Sequence, residues 1–372
     1  MANILDYIMW RNDVPLKKDP FNEIDNLVFA ELAYMDTEGI VGDKPTPIKD
    51  VCDAYFERFG FDEIVNRKSY CALAPFLMKE MLEGERFNQV TVSDYINIVD
   101  KAQEFQICAT TYHLPDKSIY VSFKGTDDTI TAWKEDFDFC YSDSTNGQKK
   151  AVEYLESMAR KYRGKIRVGG HSKGGNFAIY AAAFCDKKVK KRITDIYSND
   201  GPGFRKSILE TEEYRSIENR ITKIIPDSSL IGTLLYSSNY KVVKSTATGM
   251  TQHNAFTWQV NKNSFVATEL TDAGNFAKQT TADWLEGMSD AVRESFVKTL
   301  FYGLEQQNIE TFTQLKENKK NAIKILRSAI DIIPKDKKDE LIDILKKFVK
   351  SGSKYMDDVL LEKVEWLRQK YN

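Results

Sequence analysis

Hydrophobic and polar residues follow two different periods along the first half of the chain, and this difference predicts where helices and strands lie. Apolar residues recur at helical spacing in residues 24–36, and the same style continues through residues 48–100. The pattern then becomes β-rich, with alternating runs at 107–113 and 118–123 joined by the turn-like sequence LPDK. These two runs predict a β-hairpin.

Strands and helices then alternate as far as about residue 245. A helical stretch at 146–163 leads to the apolar run KIRVGG, and three further β-rich runs follow at 192–198, 220–226 and 240–245. Such alternation is typical of an α/β sheet whose strands run mostly parallel. The sequence therefore predicts an α/β fold with a mostly parallel central sheet flanked by helices.

The last hundred residues show a helical pattern of apolar residues again. From about Asp272 to Asn372, apolar residues recur at i, i+3, i+4 and i+7 between charged ones, most clearly in AIKILRSAIDII, DELIDILKKFV and DDVLLEKVEWLRQKY. We therefore expect three parts: an N-terminal helical segment at 1–100 packed on the core, an α/β core at 101–271, and a helical C-terminal region at 272–372.

Composition narrows the class of protein. The chain has 372 residues and a net charge of −2, which does not favour a general surface for nucleic acid or anionic membranes. It has no signal-peptide pattern and no apolar run of about 18 residues, so we predict a cytoplasmic protein without a transmembrane segment. The five cysteines are scattered and form no CxxC pair, which predicts buried free thiols.

The glycine-rich segment around Ser172 is the first candidate for chemistry. Gly170-His171-Ser172-Lys173-Gly174 fits the pattern G-x-S-x-G, between a predicted strand and a predicted helix. In that context the turn is sharp and exposes the serine hydroxyl, and the following helix N-terminus faces a developing oxyanion. We therefore predict that Ser172 is a nucleophile.

A serine nucleophile needs a base and an acid that orients the base. Of the three histidines, His113 lies in the predicted hairpin, His171 is next to the nucleophile, and His253 follows the last predicted strand. The order Ser, Asp or Glu, His makes His253 the expected base. Asp200 follows the first strand after the elbow and Asp227 the second, where the acid of this order most often lies. We favour Asp227, with Asp200 as the alternative.

The stretch SFKGTDD at 122–128 offers the other half of an oxyanion hole. It ends a predicted strand ahead of the elbow, and Thr126 can offer both a backbone N–H and a hydroxyl. The backbone N–H of Lys173 is the second expected donor. The three dispersed histidines form no metal-ligand cluster, so we predict no metal and no cofactor.

Lys173 is an unusual choice for the first turn of the elbow helix. A cation there opposes the helix macrodipole by about 0.3–1 kcal/mol. We expect a compensating salt bridge from Lys173 to Asp200, Asp127 or Asp128. The alternative is that Lys173 faces the pocket and holds an anionic part of the substrate.

These motifs resemble those of two related families. FKGT, the segment WKED at 133–136 and GHSKGG resemble the class 3 (fungal-type) lipases, although Lys124 and Lys173 stand where those lipases have arginine and leucine. The sequence is more similar to the bacterial DUF2974 family, in its GHSKGGN elbow, its YSxDGPGF stretch and its NDxLVxAELAY-like helix. The resemblance covers about residues 20–260.

The resemblance implies an α/β-hydrolase fold and a lipase- or esterase-like serine hydrolase. It would cleave a carboxylic ester or thioester through an acyl-enzyme on Ser172, with His253 as base, Asp227 as acid, and Thr126 and Lys173 as oxyanion donors. The expected partner is a small-molecule or lipid-like ester, and not nucleic acid. A catalytically weak or inactive binding or scaffold protein on the same fold, and a peptidase, stay open as alternatives. The oligomeric state also stays open.

Overall fold

The structure is a computed structural model that describes residues 1–67, 69, 71–317, 319–335, 338 and 358–371. Its strands are β1 Thr46–Pro47, β2 Thr91–Asp100, β3 Phe105–His113, β4 Ile119–Phe123, β5 Ile166–His171, β6 Ile193–Asn199, β7 Ile221–Pro226, β8 Lys241–Val243, β9 Val260–Asn261 and β10 Ser264–Phe265. Its helices are α1 Ile4–Arg11, α2 Glu23–Leu32, α3 Ile48–Phe59, α4 Phe61–Val65, α5 Ala74–Met81, α6 Ile130–Asp138, α7 Asn146–Lys161, α8 Lys173–Phe184, α9 Lys187–Lys190, α10 Lys206–Leu209, α11 Glu212–Arg215, α12 Asp272–Glu286, α13 Asp290–Glu305, α14 Phe312–Glu317, α15 Lys319–Ile330 and α16 Asp358–Tyr371.

An eight-stranded sheet forms the centre of the molecule, and its strands lie in chain order from β1 to β8. The pairs from β1 to β4 are antiparallel, and the pairs from β4 to β8 are parallel. The predicted hairpin at 107–123 and the predicted parallel strands after it are confirmed. The structure thus has the mostly parallel central sheet flanked by helices that the sequence predicts.

Strand β2 is the element that the sequence analysis missed. Residues 91–100 were expected to continue the helical region, but they pair with β3 along almost their whole length. The segment TVSDYINIVD is rich in β-branched residues, which pack well on a pleated surface. A register shift between Ser93 and Ile96 interrupts its alternation, so its period is hard to recognise in the sequence.

Helices cover both faces of the sheet, as parallel strands require. Helices α1 to α5 form one core on one face, and α7 and α8 form a second core on the other. Side chains of neighbouring residues in a strand point to opposite faces of the sheet. In β4, Tyr120 accordingly belongs to the first core and Val121 to the second. The elbow strand β5 thus lies between two packed layers.

The C-terminal region contributes to two separate cores. Helices α12, α13 and α15 form a third apolar cluster, which includes Ile130 and Cys140 from the neighbourhood of α6. Helix α16 instead joins the first core through Leu360 and Leu367, and its Lys363 pairs with Asp6 of α1. The predicted helix DELIDILKKFV lies outside the described residues. The division into three parts stays a prediction.

The state of the cysteines and the polarity of the helices can be compared with the predictions made from composition. All five cysteines are buried and free. Across the described ranges, the helices are too short or too polar to cross a lipid bilayer.

Candidate active site

Ser172 occupies a strained turn between β5 and α8. Its backbone has φ +58° and ψ −132°, a conformation that a residue with a side chain rarely adopts. The turn is held because the Ser172 N–H donates to the carbonyl of Asn199, 2.9 Å away. A Cβ at Gly174 would lie 2.0 Å from the carbonyl oxygen of Phe123, so only glycine fits there. The local sequence therefore allows the sharp elbow that G-x-S-x-G predicts.

The segment after β4 runs directly beside the serine. A Cβ added to Gly125 would lie 2.8 Å from the Cβ of Ser172 and 2.1 Å from the hydroxyl of Tyr34. The next residue, Thr126, is half-buried, and its hydroxyl donates to the carboxylate of Asp136. Burial raises the pKa of Asp136 to about 6, and the nearby Lys173 ammonium partly opposes this. The Thr126 hydroxyl is thus engaged by Asp136.

His253 lies at the end of the 3-10 helix Gly249–His253, and its ring contacts an aspartate. Its Nδ1 is 2.7 Å from Oδ2 of Asp200, which is 1% exposed. The other oxygen of this carboxylate accepts from the hydroxyl of Ser229 and from the N–H of Gly232 at 3.1 Å. Both carboxylate oxygens are therefore occupied, which fixes the orientation of the acid against the imidazole.

Asp227 does not reach His253 in this structure. Its Oδ1 accepts from the side-chain amide of Gln252 at 2.7 Å, and Gln252 accepts from the N–H of Ser228 at 2.8 Å. The reason lies in the strand order, because Asp200 follows β6, which pairs with the elbow strand β5. Asp227 follows β7, which is one strand further from β5, and neighbouring strands lie about 4.8 Å apart. The geometry reverses our preference and favours the alternative acid, Asp200.

His171 connects the elbow to the backbone of His253. The two rings lie 4.5 Å apart between centroids, and His171 Nε2 donates to the carbonyl of His253 at 2.8 Å. A carbonyl only accepts, so Nε2 carries the proton and Nδ1 accepts from the hydroxyl of Tyr34, 2.9 Å away. Burial, reinforced by His253, lowers the pKa of His171 well below its usual value, which keeps this ring neutral.

Two further buried groups lie on the other side of the His171 ring. Glu31 of α2 has its Oε1 3.8 Å from His171 Nδ1, and one ligand atom each from Glu31, Cys71 and His171 lies within 4.8 Å of the others. Burial raises the pKa of Glu31 to about 8, and the adjacent Cys71 thiol only partly opposes this. The sequence analysis assigned no role to Glu31 or Cys71.

Lys173 is fully buried and forms the expected salt bridge, but with a different partner. Its Nζ lies 3.3 Å from the carboxylate of Glu135, in α6. The expected partners have other contacts: Asp200 holds His253, Asp127 accepts from Thr129, and Asp128 accepts from the N–H of Thr313. The prediction of a bridge is confirmed, and the predicted partners are wrong.

The residues that the sequence analysis missed lie largely in motifs that carried the resemblance. Glu135 and Asp136 belong to WKED, and Glu31 and Tyr34 belong to AELAY. These motifs were a usable signal, although nothing in their spacing connects them to the elbow. No sequence signal points to Cys71.

A comparison with protein families identifies the chain. The family model described as Mbeg1-like matches residues 81–302, which is more than half of the chain. The chain belongs to the Mbeg1-like family. This family is DUF2974-type and lipase-related, so the resemblance found in the sequence is confirmed. No curated protein matches this Mbeg1-like chain significantly.

Solved structures that are similar to the Mbeg1-like protein include lipases. M37 lipase is 14% identical, with 56% of this chain and 67% of that chain covered and a TM-score of 0.33. A triacylglycerol lipase, described as having a serine protease triad, is 13% identical, with 54% and 82% covered and a TM-score of 0.34. The Rhizomucor miehei lipase propeptide complex, in a deletion mutant, is 13% identical, with 66% and 80% covered and a TM-score of 0.34. At these identities the likeness concerns the fold alone.

Proposed function

We propose that this Mbeg1-like protein is a serine hydrolase that cleaves a carboxylic ester or thioester. Ser172 is the nucleophile, His253 the base and Asp200 the acid. The observation that carries the proposal is the 2.7 Å contact between His253 Nδ1 and Asp200 Oδ2. The His253 ring lies 4.5 Å from the ring of His171, the residue that precedes Ser172 in a strand-to-helix turn with φ +58° at the serine. A buried carboxylate that orients an imidazole near a serine hydroxyl is the arrangement that acyl transfer needs.

The proposed reaction follows from the tautomer that Asp200 selects. With the proton on Nδ1 held by Asp200, Nε2 of His253 takes the hydroxyl proton as Ser172 Oγ bonds to the carbonyl carbon. Nε2 then gives that proton to the leaving alcohol or thiol as its bond to carbon breaks, which leaves an acyl-enzyme. Water attacks the acyl-enzyme, His253 takes a proton from the water, and Ser172 recovers its hydroxyl proton as the acid leaves.

We propose the backbone N–H groups of Thr126 and Lys173 as oxyanion donors. Lys173 is the first residue of α8, so its N–H has no partner within the helix, and the positive end of the helix dipole lies at the same place. The Thr126 hydroxyl already donates to Asp136, so the backbone N–H is the donor that we assign to this residue. Removing one such donor typically costs about 10²–10³ in kcat.

We propose a positioning role for Asp227. It holds the side chain of Gln252, the residue before His253, and so anchors the 3-10 helix that carries the base. It acts through Gln252 and does not contact the imidazole. Its replacement should therefore affect turnover much less than replacement of Asp200.

The substrate that we propose is a small-molecule or lipid-like ester. The segment 130–143 resembles the lid region of the lipases in its position along the chain. Its first part, Ile130–Asp138, forms α6, in which Lys134 and Glu135 are buried. The five free, buried thiols support a reducing compartment, and we propose the cytoplasm.

Labelling with a fluorophosphonate probe tests the nucleophile. Wild type should take up one probe at Ser172, and Ser172→Ala should take up none. Ser198→Ala is the matched control, because Ser198 is a buried serine on the neighbouring strand β6. Equal labelling of wild type and Ser172→Ala would refute the assignment. Wild type that neither reacts nor turns over any ester of a panel of graded chain length would favour the alternative of a binding or scaffold protein on this fold.

The two aspartates are compared on the best ester of that panel. Asp200→Asn should lower kcat by about 10⁴, as the wrong imidazole tautomer does in a serine protease. Asp227→Asn should lower it by about tenfold or less, because losing a residue that acts through Gln252 leaves the base correctly protonated. A large loss in Asp227→Asn with a small one in Asp200→Asn would assign the acid to Asp227.

A further inference from the structure

Three buried side chains from distant parts of the chain meet beside the elbow. Glu31 comes from α2, Cys71 from the segment before α5, and His171 from the end of β5. One ligand atom from each lies within 4.8 Å of the other two, and all three residues are buried. A carboxylate oxygen, a thiolate sulfur and an imidazole nitrogen are the three kinds of ligand that zinc binds in proteins.

The spacing of these atoms suits a tetrahedral metal. Bonds of about 2.0–2.3 Å at tetrahedral angles place the ligand atoms of zinc roughly 3.3–3.7 Å from one another. Glu31 Oε1 and His171 Nδ1 are 3.8 Å apart, so this pair needs to move by only a few tenths of an ångström. The two pairs that include the Cys71 sulfur lie within 4.8 Å, so they need to close by at most about 1 Å. Glu31 lies in α2, His171 ends β5 and Cys71 lies shortly before α5, so the backbone limits how far the ligand atoms can move apart.

Glu31 supplies a second, independent reason to expect a ligand. Its side chain is 0% exposed, and among the described residues no N–H or O–H group donates to either of its oxygens, so that only the Cys71 thiol lies against the carboxylate. A buried carboxylate without partners is costly, and native structures rarely contain one unless an ion or a water is bound. One carboxylate and one thiolate together carry two negative charges, which a divalent cation neutralises.

The other nitrogen of His171 is held as in known metal sites. Metal-bound histidines almost always donate their second ring N–H to a carbonyl or carboxylate, which fixes the ring and its tautomer. His171 Nε2 donates to the backbone carbonyl of His253 at 2.8 Å, so Nδ1 is the nitrogen that faces Glu31.

We propose that Glu31, Cys71 and His171 form a binding site for a divalent cation of the zinc class, with three protein ligands. Binding forms bonds from the cation to Glu31 Oε1, Cys71 Sγ and His171 Nδ1, and the protons of the Cys71 thiol and the buried Glu31 carboxyl leave to solvent. The Tyr34 hydroxyl now donates to Nδ1 and gives up this hydrogen bond when the cation binds. Through His171, the cation would brace the backbone of His253. The site stands independently of the proposed hydrolase activity.

The test is zinc binding by the full chain. Protein freed of metal by a chelator is titrated with Zn²⁺ in competition with a chromophoric chelator, and bound zinc is counted by elemental analysis. Wild type should bind one zinc per chain. Glu31→Gln and Cys71→Ser should each weaken binding by more than about 100-fold, because even residues that only support a ligand contribute about 10–100-fold.

Two controls separate ligation from general damage. Cys52→Ser replaces another buried free cysteine of the same apolar core and should bind zinc as wild type does. Tyr34→Phe removes the hydroxyl that competes for Nδ1 and should bind zinc at least as tightly as wild type. Cobalt(II) in place of zinc should give a thiolate charge-transfer band in wild type and none in Cys71→Ser.

Two results would overturn the proposal. One is a folded wild type, judged by circular dichroism, that binds no zinc at micromolar free concentration. The other is folded Cys71→Ser that binds zinc with the affinity of wild type. Because the readout is metal content, the outcome does not depend on whether the protein hydrolyses an ester.

Discussion

Replacing Lys173 by methionine measures what the buried ion pair at the elbow contributes. Lys173 and Glu135 are both 0% exposed, and Nζ lies 3.3 Å from the carboxylate. Methionine keeps a side chain of similar length that can pack on Phe177, over whose ring the ammonium now lies at 5.5 Å. The substitution therefore removes the charge and leaves most of the packing.

The structure sets the size of the expected effect. Removing one partner of a buried ion pair typically costs about 3–5 kcal/mol, because the other charge is left buried. Glu135 keeps three donors, namely the N–H of Gly147 at 2.7 Å, the hydroxyl of Thr145 at 2.8 Å and the N–H of Gln106 at 3.2 Å. Loss of the cation also relieves about 0.3–1 kcal/mol of opposition to the helix dipole. We expect Lys173→Met to lower the free energy of unfolding by about 2–3 kcal/mol.

Urea denaturation measures the interaction energy between Lys173 and Glu135 when it is applied to four proteins, namely wild type, Lys173→Met, Glu135→Gln and the double variant. If the two charges interact directly, the double variant loses less stability than the sum of the single ones, by about 0.5–3 kcal/mol. Neutral and anionic esters should be affected alike, because the ammonium is buried. Two results would refute this reasoning: unchanged stability in Lys173→Met, or a KM that rises only for an ester with a distal carboxylate.

Two further substitutions test other contacts of the site. Gly125→Ala places a Cβ 2.1 Å from the Tyr34 hydroxyl and should lower the free energy of unfolding, measured in urea, by about 1–3 kcal/mol. Gly42→Ala is the control, because a Cβ at Gly42 meets nothing within 4 Å. Equal stability of the two variants would contradict the prediction. Burial lowers the pKa of Lys223 from 10.5 to about 7, although Asp200 opposes this, so this lysine releases a proton on folding between these pH values and its contribution to wild-type stability should rise with pH there. Lys223→Met should remove that rise between pH 7 and pH 9, and an identical pH dependence of unfolding in the variant would show that Lys223 is not the source.

The parts of the fold that could be predicted are those set by local periodicity. The β3–β4 hairpin and the strands β5 to β7 are short β-rich runs bounded by turns or helices, so their pattern and their structure agree. Strand β2 was missed because a register shift breaks its alternation and the segments before it are helical. The elbow could be predicted because its glycines are adjacent in sequence.

The partners in the site could not be predicted, because they depend on which strand ends lie next to each other. Asp200 and Asp227 both follow strands after the elbow, and only the three-dimensional geometry shows that the first contacts His253 while the second contacts Gln252. Cys71 lies about 100 residues from His171 along the chain, and no spacing rule connects the two. The partner of Lys173 was missed for the same reason.

The place of helix α16 in the first core has a consequence for the order in which the chain can fold during synthesis. Lys363 pairs with Asp6 across 357 residues of sequence. At about 5–20 residues per second, a ribosome takes roughly 20–70 seconds to make the intervening chain. Throughout that interval the surface of α1 that α16 later covers is exposed to other nascent chains and to chaperones. The N-terminal helices thus depend, for their final burial, on residues that leave the ribosome more than 350 positions after them.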